Sequence, residues 1–189
     1  MVNWLRGRFT VTEIYGVTGM PLSGKTTVAN YMEEKGFSVL DMGDVVRIEM
    51  EKRNIGMEDT GDWVNDMRDE HGMDAIAQLS IPYLEEVMEE NENIVITGMR
   101  SWDEKNTFED KTGQSINIIG VWTSRETRKE RRQERMREED IKGDDFHERD
   151  LREISNGVGK LMALSDHMIK NQGISEEQVK NKVESLIES

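Results

Sequence analysis

Residues 19–26, Gly19-Met20-Pro21-Leu22-Ser23-Gly24-Lys25-Thr26, fit the spacing G-x-x-x-x-G-K-[ST]. That spacing suits a polyphosphate. The two glycines admit backbone angles that turn successive N–H groups toward one anion. A helix opening near Gly24 would add its positive dipole end. Lys25 can neutralise the β- and γ-phosphates, and Thr26 offers a hydroxyl to Mg²⁺. We therefore expect residues 19–27, with Thr27 at the far end, to cradle the triphosphate of ATP. A glycine-rich turn beside an exposed lysine is the plainer alternative. The loop's position, directly after an apolar run and before a helical pattern, counts against it.

Two further turns carry groups that could meet an acceptor. Asp41-Met42-Gly43-Asp44-Val45-Val46-Arg47 follows the second apolar run, and Thr97-Gly98-Met99-Arg100-Ser101 follows the third. Open α/β sheets bind ligands at the carboxyl ends of their strands. Asp44 could hold a Mg²⁺-bound water, whereas Arg47 and Arg100 could pair with an acceptor phosphate. Asp41 could serve as a base toward a hydroxyl acceptor. The plainer alternative makes Asp44 a helix N-cap and Arg47 a solvated side chain. A third cationic element is Arg125 to Arg137, with seven basic and three acidic residues. Arg128, Arg132 and Arg135 share one helical face. Most of this segment reads as a solvated helix held by Glu–Arg pairs.

Such groups need a scaffold that brings strand ends together. Short apolar runs at Ile14–Val17, Phe37–Leu40, Ile94–Thr97, Ile116–Trp122 and His167–Lys170 alternate with helical patterns. The helices are expected at Thr26–Lys35, Val45–Arg53, Asp62–Glu90, Arg125–Arg137, Phe146–Ile154 and Glu176–Ile187. The long one should break at His71-Gly72, and Pro82 should kink or restart it. Strands alternating with helices predict an α/β fold of three layers with a parallel five-stranded sheet. We expect one domain over residues 13–189 after a tail of residues 1–12. Its acceptor-binding helical part would span about 43–91, and its lid-like part about 125–156.

Composition narrows the partners. The 189 residues carry 25 Lys+Arg against 39 Asp+Glu, a formal charge of −14, which argues against nucleic acid or an anionic membrane. The chain has no cysteine, which excludes thiolate chemistry and disulfides. No apolar run is long enough for a membrane span, and the cytoplasm is the expected compartment. His71, His147 and His167 lack metal-ligand spacing. No G-x-S-x-G turn is present. The 13 methionines suit an adaptable core or pocket lining. Trp63 and Trp102 are expected on the acceptor side, where packing is the simpler role. A monomer or homodimer is expected.

The stretch Asp41 to Arg47 resembles the Thr-Gly-Asp-x-x-Arg segment of the adenylate kinase group. Thr97 to Arg100 resembles that group's Asp-Gly-x-Pro-Arg segment, shortened by one residue. From Ile14 to about Ile187 the chain resembles an archaeal family of P-loop proteins related to adenylate kinase and dephospho-CoA kinase. The residues that carry this likeness are 16–21, 42–47, 72–77, 98–101 and 148–150. Ser165-Asp166-His167-Met168-Ile169-Lys170-Asn171 looks like the strand near the adenine site of dephospho-CoA kinases, which implies a nucleotide contact for Asn171. The resemblance implies a P-loop kinase in which Arg47 and Arg100 position the acceptor and the 128–152 region closes as a lid, with Arg128, Arg132 and Arg149 as candidates for contact with the transferring phosphoryl group. The acceptor it implies is a nucleoside monophosphate or a dephospho-CoA-like molecule. The family tends to place an aspartate where this chain has Thr97, which leaves Asp41 and Asp44 as acidic substitutes. That departure keeps a second function open: a nucleotide-binding switch or slow NTPase that phosphorylates no small molecule.

Overall fold

The structure is a computed structural model that describes residues 13–135 and 145–188. Five strands form one sheet: β1 (Glu13–Thr18), β2 (Ser38–Asp41), β3 (Asn93–Thr97), β4 (Asn117–Trp122) and β5 (His167–Lys170). Their order is β2-β3-β1-β4-β5, and every neighbouring pair is parallel. The expected α/β fold with a parallel five-stranded sheet is therefore present.

The strands are apolar on both faces because both faces are covered. Ile14, Ile94, Ile96 and Ile118 face one way. They pack on α2 (Met42–Lys52), α3 (Thr60–His71), α4 (Ala75–Glu90) and α5 (Trp102–Thr112). Tyr15, Val17, Val95, Ile119 and Val121 face the other way, onto Val28 and Met32 of α1 (Lys25–Glu34) and Val179 and Val183 of α9 (Glu176–Ile187). Between these, α6 (Arg125–Arg135), α7 (Phe146–Ser155) and α8 (Val158–Ala163) follow β4 and precede β5. All five strands end on one edge of the sheet, where the loops after β1, β2 and β3 must lie side by side.

Several elements differ from expectation. Helix α2 starts at Met42, three residues early, because Asp41 caps it by accepting from the N–H groups of Gly43 (2.7 Å) and Asp44 (3.1 Å). Asp44 therefore lies within the first turn and is not the cap. The long helical stretch does divide after His71, and Pro82 lies inside α4. Helix α5 was not anticipated. Its sequence, WDEKNTFEDKT, lacks an apolar stripe, and a reciprocal cap of Ser101 and Glu104 starts it. The short α8 was also missed. The expected continuation of α6 to Arg137, and the tail of residues 1–12, lie outside the described residues.

Candidate active site

The loop between β1 and α1 has the backbone its sequence demands. Gly19 has φ +150°, and a Cβ there would stand 2.5 Å from the carbonyl oxygen of Val121. Gly24 has φ +97°, and a Cβ there would strike the side-chain amide of Asn171. Leu22 holds φ +66° without being glycine, a conformation that costs on the order of 1–2 kcal/mol and recurs at functional loops. Lys25 Nζ curls over the loop and donates to the carbonyls of Gly19 (2.6 Å) and Met20 (3.0 Å). Burial pushes its pKa down to about 8; Glu153 opposes the shift, and Arg100, Arg149 and Arg128 deepen it. Thr26 is exposed at the first turn of α1, and Thr27 is half-buried beside it.

A polar wall supports the loop from behind. Asn171, at the end of β5, donates from Nδ2 to the Ser23 carbonyl at 2.8 Å. Thr123 Oγ1 lies 2.9 Å from both the Ser23 and Asn171 carbonyls. Arg131 reaches the Leu22 carbonyl at 3.1 Å and the Asn171 carbonyl at 3.3 Å. Arg128, from the same helix, is 4% exposed; it donates to the Pro21 carbonyl at 3.3 Å and grips Asp150 through two bonds of 2.7 and 2.8 Å. Its guanidinium also lies 5.1 Å from the centre of the Phe146 ring. So α6 and α7 are stapled to each other and to the phosphate loop. Arg132 is half-buried, and its guanidinium faces the same ring at 6.0 Å. Arg149 is half-buried on α7.

On the other side of the loop, Asp41 is occupied three ways. Besides capping α2, it accepts a 2.9 Å bond from the Thr97 hydroxyl, its register partner across β2 and β3. Asp44 and Arg47 are exposed and ion-paired to each other. Arg100 Nε donates to Glu153 Oε2 at 2.7 Å. Glu104 accepts from the Arg100 and Ser101 N–H groups at 2.6 and 3.1 Å, which fixes the turn after β3. Arg68 of α3 lies 3.6 Å from Glu104, and both side chains are almost fully buried. Burial pushes Glu104 up and Arg68 down from their ordinary pKa values. Trp63 and Trp102 pack against the core, beneath Arg53 and Lys105 respectively.

Lys25 feels the charges of Arg100, Arg128 and Arg149. Arg47 and Asp44 pair with each other at the head of α2. Sequence inspection missed Arg131, Asp150 and Glu153. No sequence signal pointed to the inward set of α7: Phe146, Asp150 and Glu153 are buried, while Leu151 and Ile154 are 50% and 53% exposed. An amphipathic helix normally buries the opposite set. Among the described residues, no group of three or more His, Cys, Asp or Glu could hold a metal by itself. The donor set suits Mg²⁺ all the same, because that ion uses one or two protein ligands and takes the rest from water and phosphate. The exposed Thr26 hydroxyl could serve as such a ligand. Among the described residues, no helix is long and apolar enough to cross a membrane.

Residues 16–154 match a family model described as an AAA domain. Among solved structures, the shikimate kinase from Acinetobacter baumannii in complex with shikimate shares the fold. The TM-score is 0.59 at 16% identity, over 95% of this chain and 94% of that one. A sugar kinase from Janibacter sp. HTCC2649 gives a TM-score of 0.52 at 18% identity, over 94% and 95% of the two chains. Sheet order, phosphate loop and these likenesses define a P-loop protein of kinase-like fold. Relatives in sequence are more specific. The UPF0200 protein of Thermococcus onnurineus is 37% identical over 176 residues, covering 91% of this chain and 95% of that one. The UPF0200 protein of Methanothermobacter thermautotrophicus is 39% identical over 161 residues, covering 85% and 82%. The chain belongs to the UPF0200 family. The resemblance to an archaeal P-loop family is thereby established.

Proposed function

We propose that this protein is an ATP-dependent phosphotransferase that moves the γ-phosphoryl group to a small molecule, a nucleotide or nucleotide-like acceptor. One observation carries the reading. Lys25 lies in the loop after β1, donates to the Gly19 and Met20 carbonyls, and feels the charges of Arg100, Arg128 and Arg149 from three other segments. Their positive charges work against the Lys25 ammonium, and a bound polyanion would relieve that repulsion.

In this reading the amides of residues 19–27 and Lys25 hold the β- and γ-phosphates. Lys25 leaves the Gly19 and Met20 carbonyls to do so. Mg²⁺, held by Thr26 with Asp44 facing its waters, would neutralise charge developing between those phosphates. Asn171 and Arg131 keep the loop's shape from behind, and Asn171 borders the base. Arg128 braces the loop through Pro21, while Arg132 and Arg149 stand on the stems of α6 and α7 to meet the transferring group. Arg47 and Arg100 face the acceptor. Positioning and charge stabilisation supply most of the catalysis in such transfers. The cytoplasm is the proposed compartment.

Titration calorimetry with Mg·ATP tests the nucleotide site, and acceptor-dependent ADP formation tests the transfer. Lys25→Ala should abolish turnover with the melting temperature little changed. Retained turnover would sink the loop assignment. A second reading, a nucleotide switch without a small-molecule acceptor, draws on Thr97. Its hydroxyl ties up Asp41, and no carboxylate springs from the end of β3. Binding of Mg·ATP with no acceptor-dependent turnover would favour that reading.

A further inference from the structure

The phosphotransferase reading leaves open which acceptor atom reacts, and α7 bears on that question. A buried carboxylate is costly unless a cation and hydrogen bonds compensate it. Asp150 finds Arg128 and Arg125. Glu153, one turn further on, finds Arg100, and its charge is also felt by Lys25 and Arg149. Lys25 follows β1, and Arg100 follows the adjacent strand β3. One carboxylate therefore balances the donor-side and acceptor-side cations together. Arg47, the other arginine on the acceptor side, is matched by Asp44.

A phosphate monoester acceptor asks for the reverse. It is close to a dianion at neutral pH, and it needs guanidinium groups free to form paired hydrogen bonds. Here it would meet an arginine already neutralised, with a carboxylate beside it. An alcohol meets no such conflict, since its O–H can donate to a carboxylate while its oxygen faces phosphorus. We propose that Glu153 is the residue that selects a hydroxyl group, and rejects a phosphate monoester, as the phosphoryl acceptor.

The step balances simply. The acceptor oxygen forms a bond to the γ-phosphorus. The bond from that phosphorus to its bridging oxygen breaks, and the electron pair leaves with ADP. The hydroxyl proton passes to the Glu153 carboxylate and then to solvent. Burial works against this carboxylate, but Arg100 and Lys25 outweigh it and keep its pKa below the ordinary range. A weak base suffices, because the transfer is loose and the proton departs late. The carboxylate's larger task is to orient the hydroxyl.

The test uses the full chain and AMP as the probe. The protein is first saturated with Mg²⁺ and a non-hydrolysable ATP analogue, and failure at that stage refutes the nucleotide site rather than this proposal. AMP is then titrated by calorimetry into wild type, Glu153→Gln and Glu153→Asp. Removing the negative charge should tighten AMP binding by about tenfold or more. Glu153→Asp, which keeps the charge, should stay near wild type. Unchanged or weaker AMP binding in Glu153→Gln overturns the proposal. An independent arm needs no variant: wild type with Mg·ATP should form no diphosphate from AMP, CMP, GMP or UMP, and formation of any one overturns it.

Discussion

Lys25 condenses the chemistry of the site into one side chain. Its ammonium is held by two carbonyls and crowded by three arginines, and its pKa falls to about 8, chiefly through burial. Between about 8 and the ordinary 10.5, the folded chain carries fewer protons on Lys25 than the unfolded chain does. Lys25 therefore contributes stability that rises with pH across that window. Phosphate affinity moves the other way, because a neutral amine loses its attraction for the γ-phosphate. Calorimetric titration of Mg·ATP should show affinity falling above about pH 8. Lys25→Met should lower affinity throughout and remove that fall. A wild-type affinity flat up to pH 10 would contradict the burial account of this lysine.

The staple between α6 and α7 belongs to the scale of elements. Arg128 and Asp150 are almost wholly buried and joined by two hydrogen bonds. An exposed pair of this kind would be worth under about 1 kcal/mol. Stripping one partner from a buried pair costs about 3–5 kcal/mol, because the other charge is left uncompensated. Asp150→Asn should therefore lower the unfolding free energy by about 3 kcal/mol in a denaturant titration. A loss under about 1 kcal/mol would mean that water reaches Arg128. How far such elements could be foreseen depended on their physics. The strands were legible because both faces of the sheet need apolar residues, so Ile94–Thr97 reads as a run. The phosphate loop was legible because its glycines and lysine are fixed in spacing. Helix α5 was not, since a cap rather than an apolar stripe defines it. The inward face of α7 was not legible either: periodicity points Leu151 and Ile154 to the core, and only arginines distant in sequence reverse it. The same tertiary pairing hid Glu153, and Arg131 was one arginine among several until β5 brought Asn171 beside it.

At the scale of the whole molecule, the site is a seam on which separate parts of the chain converge. The phosphate loop hangs from β1, Arg100 from β3, the arginine helix from β4, and Asn171 from β5, with α7 closing the circuit through Asp150 and Glu153. Polyphosphate binding should therefore act on the entire fold rather than on one loop. A ligand that binds only the native state at a hundredfold excess over its Kd adds about 2.7 kcal/mol of stability. For a chain of 189 residues, each kcal/mol shifts Tm by about 2–4 °C. Saturating Mg·ATP should thus raise Tm by about 5–11 °C in a single cooperative transition. Lys25→Ala should lose most of that increment, since its loop no longer completes the charge match. Asp150→Asn should begin from a lower Tm yet keep the increment, because its loss falls on the staple and not on the phosphate contacts. If the ligand instead split the melting curve into two steps, the α6–α7 region would be unfolding apart from the sheet. The seam would then be a junction of two independently stable parts.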